Sequence, residues 1–297
     1  MPKFDSARFP IFAGLSKTEL ADLDRATTTI DIEADIPVAL AIHEQQRFLF
    51  LNEDGIYTLG DAMPLYLLDS GELLLSMQCE QQLFEMGSIL PGQAFGKECI
   101  LMQPFCCTQI RPSKKGRLYV IPNEIVRKFF ARNEAFHSAL LQMSEKRRAA
   151  TALAANLAFS LLPRNIHETI LHEASFVSLN AGEILQQQGS TDTDTMYLVM
   201  EGTAEISKPH PYEKDRKIVF ATAAPGDELG EICSATEQPY TATATTTAAT
   251  PLRLLKIPSE SICTWRNRYP DFAHALEFII EDNQMRSSHH TLNACAA

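Results

Sequence analysis

Short apolar runs broken by turn residues dominate the chain from about residue 30 to residue 121. Residues 48–51 and 65–68 are two such runs, and residues 118–121 form the last one before Pro122. Runs of this length between turn-forming residues are typical of strands, so the pattern predicts a strand-rich domain. Asp69-Ser70-Gly71 is predicted to be a hairpin turn, with residues 73–77 as the returning strand.

Helical signatures flank this strand-rich region. Ser16 followed three residues later by Glu19 is a capping box, which predicts a helix that begins at residue 17. Apolar residues recur at the helical period from 123 onward, and an alanine- and leucine-rich segment follows at 149–158. These residues predict one long connecting helix. A last helix is expected from residue 271 to about residue 280.

The second half of the chain repeats landmarks of the first half. Ile121-Pro122 recurs as Ile257-Pro258, and Pro91-Gly92 recurs as Pro225-Gly226. Several matches in one order, with loops of different length between them, indicate an internal repeat. We therefore predict two similar domains, at residues 1–133 and 161–285. A connecting helix at 134–160 joins them, and a polar tail follows at 286–297.

Composition narrows the classes of function. The net charge is −11, from 26 Lys and Arg against 37 Asp and Glu, which argues against nucleic acid as a partner. No apolar run is long enough to span a membrane, so no membrane partner is expected. Seven cysteines without a C-x-x-C pair favour free thiols in a reducing compartment. We expect a cytoplasmic protein, or one bound within a soluble intracellular assembly.

Catalytic and metal sites have no support in the sequence. The eight histidines include no H-x-H or H-x-x-x-H pair within a strand-rich segment, so no metal is expected. No nucleophile, base and orienting group occur in a recognisable constellation. The sequence predicts a protein that is not an enzyme and that needs no cofactor.

Residues 225–245 carry the candidate chemistry. Gly230-Glu231-Ile232 precedes a stretch that can form one helical turn, and Pro239-Tyr240-Thr241-Ala242 follows it. Glycine lets the backbone approach a ligand, N–H groups at a helix start face an anion, and a carboxylate accepts from a ribose hydroxyl. The segment resembles the phosphate-binding cassette of cyclic-nucleotide-binding domains, as in the regulatory subunit of cAMP-dependent protein kinase.

The strands before the cassette carry the same resemblance. Gly182-Glu183-Ile184, Gly189, Tyr197 and Gly202 are similar to the family's G-E-x-I-x-x-Q-G … D-x-x-Y-x-V-x-x-G pattern. The resemblance is sharp over 176–280 and loose over 9–140. It implies an α+β fold that is mainly β, with two jelly-roll-like barrels (double-stranded β-helices), each flanked by helices.

The resemblance also implies which residues of the second copy bind a ligand: Gly230, Glu231, Ile232, Tyr240, Thr241 and Ala242. Glu231 is at the ribose-binding position, although a carboxylate there could instead cap the turn or pair locally. The family has an arginine after the proline, and this chain has Tyr240. A phenol cannot neutralise a phosphate, so we expect reduced affinity for cAMP and cGMP, and a neutral nucleoside becomes competitive. The alternative is a pocket that Tyr240 plugs.

The first copy departs further from the family pattern. Gly96 is retained, but Lys97 is at the ribose position and Phe105, followed by Cys106, is at the arginine position. Both ligand-reading charges are therefore lost or misplaced. We predict that this first site is degenerate and that its domain is structural.

Residues 146–151, Lys-Arg-Arg-Ala-Ala-Thr, resemble the pseudosubstrate segment of kinase regulatory subunits. In that family the segment precedes the first barrel, whereas here it lies in a helical stretch between the two domains. We therefore expect a solvated basic face of a helix instead.

Two hypotheses for the function follow from these patterns. The first is a regulatory protein or sensor whose second site binds a small nucleotide or nucleoside, and whose helices at 123–160 and 259–282 move to signal to a protein partner. The second is a ligand-free scaffold whose barrels bind other proteins.

Overall fold

The chain divides into two compact units, Met1–Arg147 and Arg148–Ala297. The structure is a computed structural model, and it describes residues 4–34, 39–42, 47–51, 57–59, 64–79, 82–96, 109–191, 194–213, 216–236, 238–247 and 251–296. The boundary between the units lies inside the predicted connecting segment, 134–160. The other predicted boundaries remain predictions.

Helices occur at the start and end of the first unit and around the strands of the second. They are α1 (Lys17–Ala26), α2 (Asn123–Arg132), α3 (Glu134–Ala155), α4 (Arg164–His172), α5 (Glu231–Thr236), α6 (Ser259–Arg268) and α7 (Pro270–Ala296). Short 3₁₀ turns at Ser6–Arg8, Pro10–Phe12 and Phe159–Leu161 complete the set in the described residues.

The strands of the first unit form one antiparallel sheet. They are β1 (Thr28–Ile32), β2 (Ala39–Ile42), β3 (Arg47–Leu51), β4 (Tyr57–Leu59), β5 (Leu65–Cys79), β6 (Gln82–Ile89), β7 (Ala94–Phe95) and β8 (Gln109–Ile121). The hydrogen-bonded order is β4-β3-β2-β8-β5-β6, with β1 paired to β8 and β7 paired to β5.

The predicted hairpin at Asp69-Ser70-Gly71 is wrong. Strand β5 continues through these residues and stays paired with β8 on both sides, with register shifts between Leu68 and Leu73. Gly71 has a φ of +93°, and a Cβ on it would lie 3.0 Å from the Lys114 carbonyl oxygen. A glycine with positive φ here produces a bulge in a long strand, not a reversal of the chain.

The predicted start of α1 is confirmed. Glu19 N–H donates to Ser16 Oγ at 3.3 Å, and Ser16 N–H donates to Glu19 Oε2 at 2.8 Å. The predicted long helix after Pro122 is interrupted, because Asn133 has extended backbone between α2 and α3 and its Oδ1 accepts from Phe136 N–H at 2.9 Å. Phe9, Phe12, Phe129 and Phe136 form the aromatic part of the core under these helices.

The second unit has two four-stranded antiparallel sheets, β10-β15-β12-β13 and β14-β11-β16-β9. The strands are β9 (Ser175–Leu179), β10 (Ile184–Gln186), β11 (Thr195–Glu201), β12 (Ala204–Pro209), β13 (Lys217–Ala223), β14 (Glu228–Leu229), β15 (Thr243–Thr246) and β16 (Leu252–Pro258). One core cluster combines buried residues of both sheets, such as Val199 and Leu254 with Ala204 and Ala244. A two-sheet arrangement with flanking helices confirms the predicted mainly-β class of fold.

A second cluster joins the helices of this unit to its sheets. Phe159, Phe272 and Leu276 are fully buried in it beside Met196 and Leu255 of the strands. Helix α7 continues to Ala296, so the prediction that it ends near residue 280 is wrong. Ser287, within the predicted tail, is buried.

The basic run at 146–148 is not the solvated face that the sequence predicted. The Arg147 guanidinium donates to the Ala94 carbonyl oxygen, and burial lowers its pKa to about 9. In the second unit, Arg148 is buried and forms an ion pair with Glu201. Two of the three cations in this run therefore have internal partners.

Within the described residues, no helix combines the length and the apolar character that crossing a membrane requires.

Candidate functional site

Strand β11 holds the cassette of the second unit in place. Gly226 N–H donates to the Val199 carbonyl oxygen, and Val199 N–H donates to the Asp227 carbonyl oxygen, each at 2.9 Å. Strand β14 then pairs with β11, with Tyr197 opposite Leu229. The chain turns at Gly230 directly into α5, whose first residue is Glu231. The backbone of the cassette is therefore fixed by the sheet.

Gly230 is required by its backbone angle and by its neighbours. Its φ is +81°, in the region that side chains with a Cβ rarely adopt. A Cβ on Gly230 would lie 3.1 Å from the Thr195 carbonyl oxygen, 3.4 Å from Tyr240 Cε1 and 3.5 Å from Gln186 Oε1. Three other segments of the unit therefore converge on this glycine.

Glu231 is a buried carboxylate with few donors. It is 8% exposed, and Asn283 Nδ2 on α7 donates to its Oε1 at 3.1 Å. Burial raises the pKa of Glu231, and its own backbone N–H and Asn283 act in the opposite direction. An ionised carboxylate has about four acceptor positions, so two donors leave capacity for a ligand hydroxyl.

Tyr240 is buried beside Gly230. It is 6% exposed, its N–H donates to the Ser190 carbonyl oxygen at 3.0 Å, and Gly189 N–H donates to the Tyr240 carbonyl oxygen at 2.8 Å. These two bonds tie the loop after α5 to the turn after β10. The phenol ring consequently occupies the space next to Gly230, where the family resemblance implied an arginine.

The other predicted ligand residues have different surroundings. Ile232 belongs to the buried helical core, so only its backbone is available to a ligand. The Thr241 backbone N–H faces the Cys233 sulfur, and burial together with Glu231 raises the pKa of that thiol to about 11. Ala242 is buried. The structure thus brings Gly230 and Tyr240 together and turns the Ile232 side chain away.

Glu228 and Asn156 form a second polar contact at the cassette. Asn156 Nδ2 donates to the Gly226 carbonyl oxygen at 3.0 Å and to the Glu228 carboxylate. Asn156 Oδ1 accepts from Ala158 N–H and Phe159 N–H, both at 3.0 Å. Asn156 therefore links the turn before β14 to the 3₁₀ turn at Phe159–Leu161.

The electrostatic character of this site is acceptor-rich. Burial and the neighbouring Glu231 carboxylate raise the pKa of Glu228 to about 8, against a smaller opposing effect of Asn156. Within the part of the chain that the structure describes, neither Glu228 nor Glu231 has an ion-pair partner. The site therefore offers acceptors to a ligand, and it offers a phosphate no cation.

Sequence analysis missed Gln186, Asn283, Glu228 and Asn156. A signal existed for Asn283, because Phe272, Leu276, Ile280 and Ser287 are buried along α7 at helical spacing. Asn283 falls on the same stripe, but the helix was expected to end before it. Gln186 is one of three consecutive glutamines, and nothing in that run distinguishes the buried one.

The degenerate first site is described only at Gly96. This glycine follows β7 with a φ of +110°, and a Cβ on it would lie 2.8 Å from the Pro64 carbonyl oxygen. Lys97, Phe105 and Cys106 lie outside the described residues. The prediction that this site is degenerate remains a prediction.

Comparison with family models matches residues 176–268 to the cyclic nucleotide-binding domain. The matched segment contains both sheets of the second unit and the whole cassette. The resemblance that the cassette pattern indicated is therefore confirmed for this segment. A comparison with curated proteins gave no match.

Solved structures of kinase regulatory subunits are similar over most of the chain. The regulatory domain of Toxoplasma gondii PKA, solved with cAMP, is 16% identical with a TM-score of 0.40, over 93% of this chain and 92% of that chain. The regulatory subunit of a cAMP-independent protein kinase A from Trypanosoma brucei is 13% identical with a TM-score of 0.39, over 92% and 86%. That of Trypanosoma cruzi, bound to guanosine, is 14% identical with a TM-score of 0.34, over 92% and 90%.

The raised pKa of Glu228 predicts a pH dependence of stability. The unfolded side chain has a pKa near 4.5 and the folded one about 8, so the folded state holds the proton more tightly between these values. The stabilisation is present below pH 4.5 and is lost as the pH rises through 8, at no more than about 1.4 kcal/mol per pH unit. The free energy of unfolding, from urea titrations between pH 5.5 and 8.5, should fall with pH and then level.

The variant Glu228→Gln should reduce this dependence, because its side chain does not titrate, and Glu231, whose pKa burial also raises, contributes the slope that remains. Glu260→Gln, at an exposed carboxylate of α6, is the matched control and should keep the slope of the wild-type protein. An equal slope in Glu228→Gln and in the wild type would contradict the raised pKa of Glu228.

Proposed function

We propose, with the match of residues 176–268 to the cyclic nucleotide-binding domain as the premise, that this chain is a non-enzymatic ligand sensor. The second unit binds a nucleoside-type ligand through Glu231, and its affinity for cAMP and cGMP is reduced. The first unit is a related domain without a working site, which makes the chain a tandem of two such domains. A protein partner reads the state of the second unit.

The observation that supports the proposal best is the environment of Glu231. Its carboxylate is buried, and its one side-chain partner among the described residues is Asn283. Burying a charged group in water-excluded surroundings is unfavourable unless donors satisfy it. A ribose provides two adjacent hydroxyl donors, which suit an acceptor of this kind.

Within the described residues, neither Glu228 nor Glu231 forms an ion pair, and Arg266 reaches the cassette only at the Ala235 carbonyl oxygen of α5, at 3.0 Å, which favours a neutral ligand. Tyr240 is buried beside Gly230, and the carboxylates of Glu228 and Glu231 are close enough to each other to raise the pKa of Glu228. A phosphate placed here would meet the negative charge of Glu231 without compensation, which is destabilising. A nucleoside has the same ribose without this charge.

The hydrogen bond between Asn283 and Glu231 connects ligand binding at the cassette to the position of α7. Because Asn283 on α7 donates to Glu231 Oε1, a ribose hydroxyl that bonds to the same oxygen shares it with Asn283 and weakens the bond that holds the helix. Binding then favours the state in which α7 has moved, provided that the ligand binds that state more tightly. A partner that contacts α7 only in one of the two states would sense the ligand.

The scaffold hypothesis is the second candidate, and one observation favours it. The Tyr240 ring is buried against Gly230, and this is the geometry that a closed pocket requires. In that case the barrels bind proteins and Glu231 serves only to hold α7.

Isothermal titration of the full chain with adenosine, guanosine, cAMP and cGMP tests the proposal. The wild-type protein should bind a nucleoside. Glu231→Gln keeps the shape but loses the charge-assisted bonds, so its affinity should fall roughly ten- to hundredfold. Glu260→Gln, the exposed control, should bind as the wild type does. If the wild type binds none of the four compounds, the scaffold hypothesis is favoured.

The variant Tyr240→Arg should restore recognition of a cyclic phosphate. A guanidinium at this position can form two parallel hydrogen bonds to phosphate oxygens, so the affinity for cAMP or cGMP should rise roughly ten- to hundredfold. Tyr212→Arg adds the same charge at an exposed tyrosine of the same unit and should have little effect. Unchanged affinity in a folded Tyr240→Arg protein would indicate that the pocket is closed.

A further inference from the structure

Gln186 is a buried polar residue at the C-terminal end of the short strand β10. It is the last residue of β10, opposite Ala244 of β15, and it is 9% exposed. Its carboxamide oxygen Oε1 has no hydrogen-bond partner among the described residues. Buried side-chain acceptors are normally satisfied, so an orphaned one calls for a specific explanation.

The orphaned oxygen points into the candidate site. It would lie 3.5 Å from a Cβ on Gly230, and the Thr195 carbonyl oxygen and Tyr240 Cε1 would lie 3.1 and 3.4 Å from the same Cβ. Glu231 follows Gly230 in the chain, so the orphaned carboxamide oxygen lies beside the residue that precedes the buried carboxylate. Both groups are acceptors, and both are satisfied by O–H or N–H donors.

An anion would bind unfavourably at this part of the site, beside Gln186 Oε1 and the Thr195 carbonyl oxygen. A phosphate oxygen next to Gln186 Oε1 and the Thr195 carbonyl oxygen would bring together groups that all accept hydrogen bonds. A hydroxyl at the same point donates a hydrogen bond and adds no charge. Binding sites built to pair with a ligand hydroxyl discriminate strongly against ligands that lack it, because their buried groups are then left unpaired.

We propose that Gln186 determines specificity at this site, by accepting a hydrogen bond from a ligand hydroxyl and thereby selecting a nucleoside with a free 5′-hydroxyl over its 5′-phosphate. This inference rests on the proposed function, because it assumes that Glu231 binds the ribose. It adds the recognition of the other end of the sugar. Tyr240 does not neutralise a phosphate, and Gln186 adds a hydrogen bond that only a ligand with a donor hydroxyl can form. Together the two residues favour an uncharged ligand.

The test is isothermal titration of the full chain with adenosine, guanosine and their 5′-monophosphates, together with thermal unfolding without ligand. The variants are Gln186→Leu and Gln186→Met, which remove the acceptor at nearly constant volume. Gln187→Leu is the matched control, at the exposed neighbouring glutamine. The wild type should bind the nucleoside more tightly than the monophosphate.

Both Gln186 variants should lose about three- to tenfold in nucleoside affinity, the effect of one lost hydrogen bond. Their thermal midpoints without ligand should be unchanged or higher, since an unsatisfied buried acceptor has been removed. A residue with only a structural role would instead lower the midpoint and the affinity together. Gln187→Leu should change neither quantity.

Two outcomes would overturn the inference while the proposed function survives. One is nucleoside binding that both Gln186 variants retain in full, and the other is a wild-type protein that prefers the monophosphate. A wild type that binds neither class of compound overturns the proposed function, and the inference falls with it. The two failures are therefore distinguishable.

Discussion

The need of a buried carboxylate for hydrogen-bond donors is the constraint on which the second unit depends. Glu231 begins α5 inside the protein, and the sheet fixes the backbone that leads to it. Its donor comes from Asn283, 52 positions away on α7. Removing one partner of a buried charged group is costly, so the cassette and the C-terminal helix stabilise each other. The proposed ligand acts on α7 for the same reason, since it would share the Glu231 carboxylate with Asn283.

Local rules made much of the fold predictable from the sequence. The capping box at Ser16 and Glu19 depends only on neighbouring residues, and the structure forms it. The glycines of the cassette were placed by their turn chemistry, and Gly226 and Gly230 both have positive φ. The Gly230-Glu231 pair before a short helix is also a local pattern, and the structure begins α5 at Glu231.

Features that depend on distant partners were not predictable in this way. Gly71 suggested a hairpin, and only the pairing with β8 on both sides of it shows a bulge. Arg147 and Arg148 looked solvated, because their partners lie about 53 positions away in the chain. Gln186 and Asn283 were missed for the same reason: side-chain burial and the donor that it demands are decided by tertiary packing.

Hydrogen–deuterium exchange of the full chain, with and without saturating adenosine or guanosine, tests the central claim most directly. We expect slower exchange in the cassette, residues 225–245, together with faster exchange in α7 around Asn283, because the ligand shares the Glu231 oxygen that holds the helix. Glu231→Gln should abolish both changes. Exchange that is the same with and without either nucleoside, in the cassette and in α7 alike, would contradict the account.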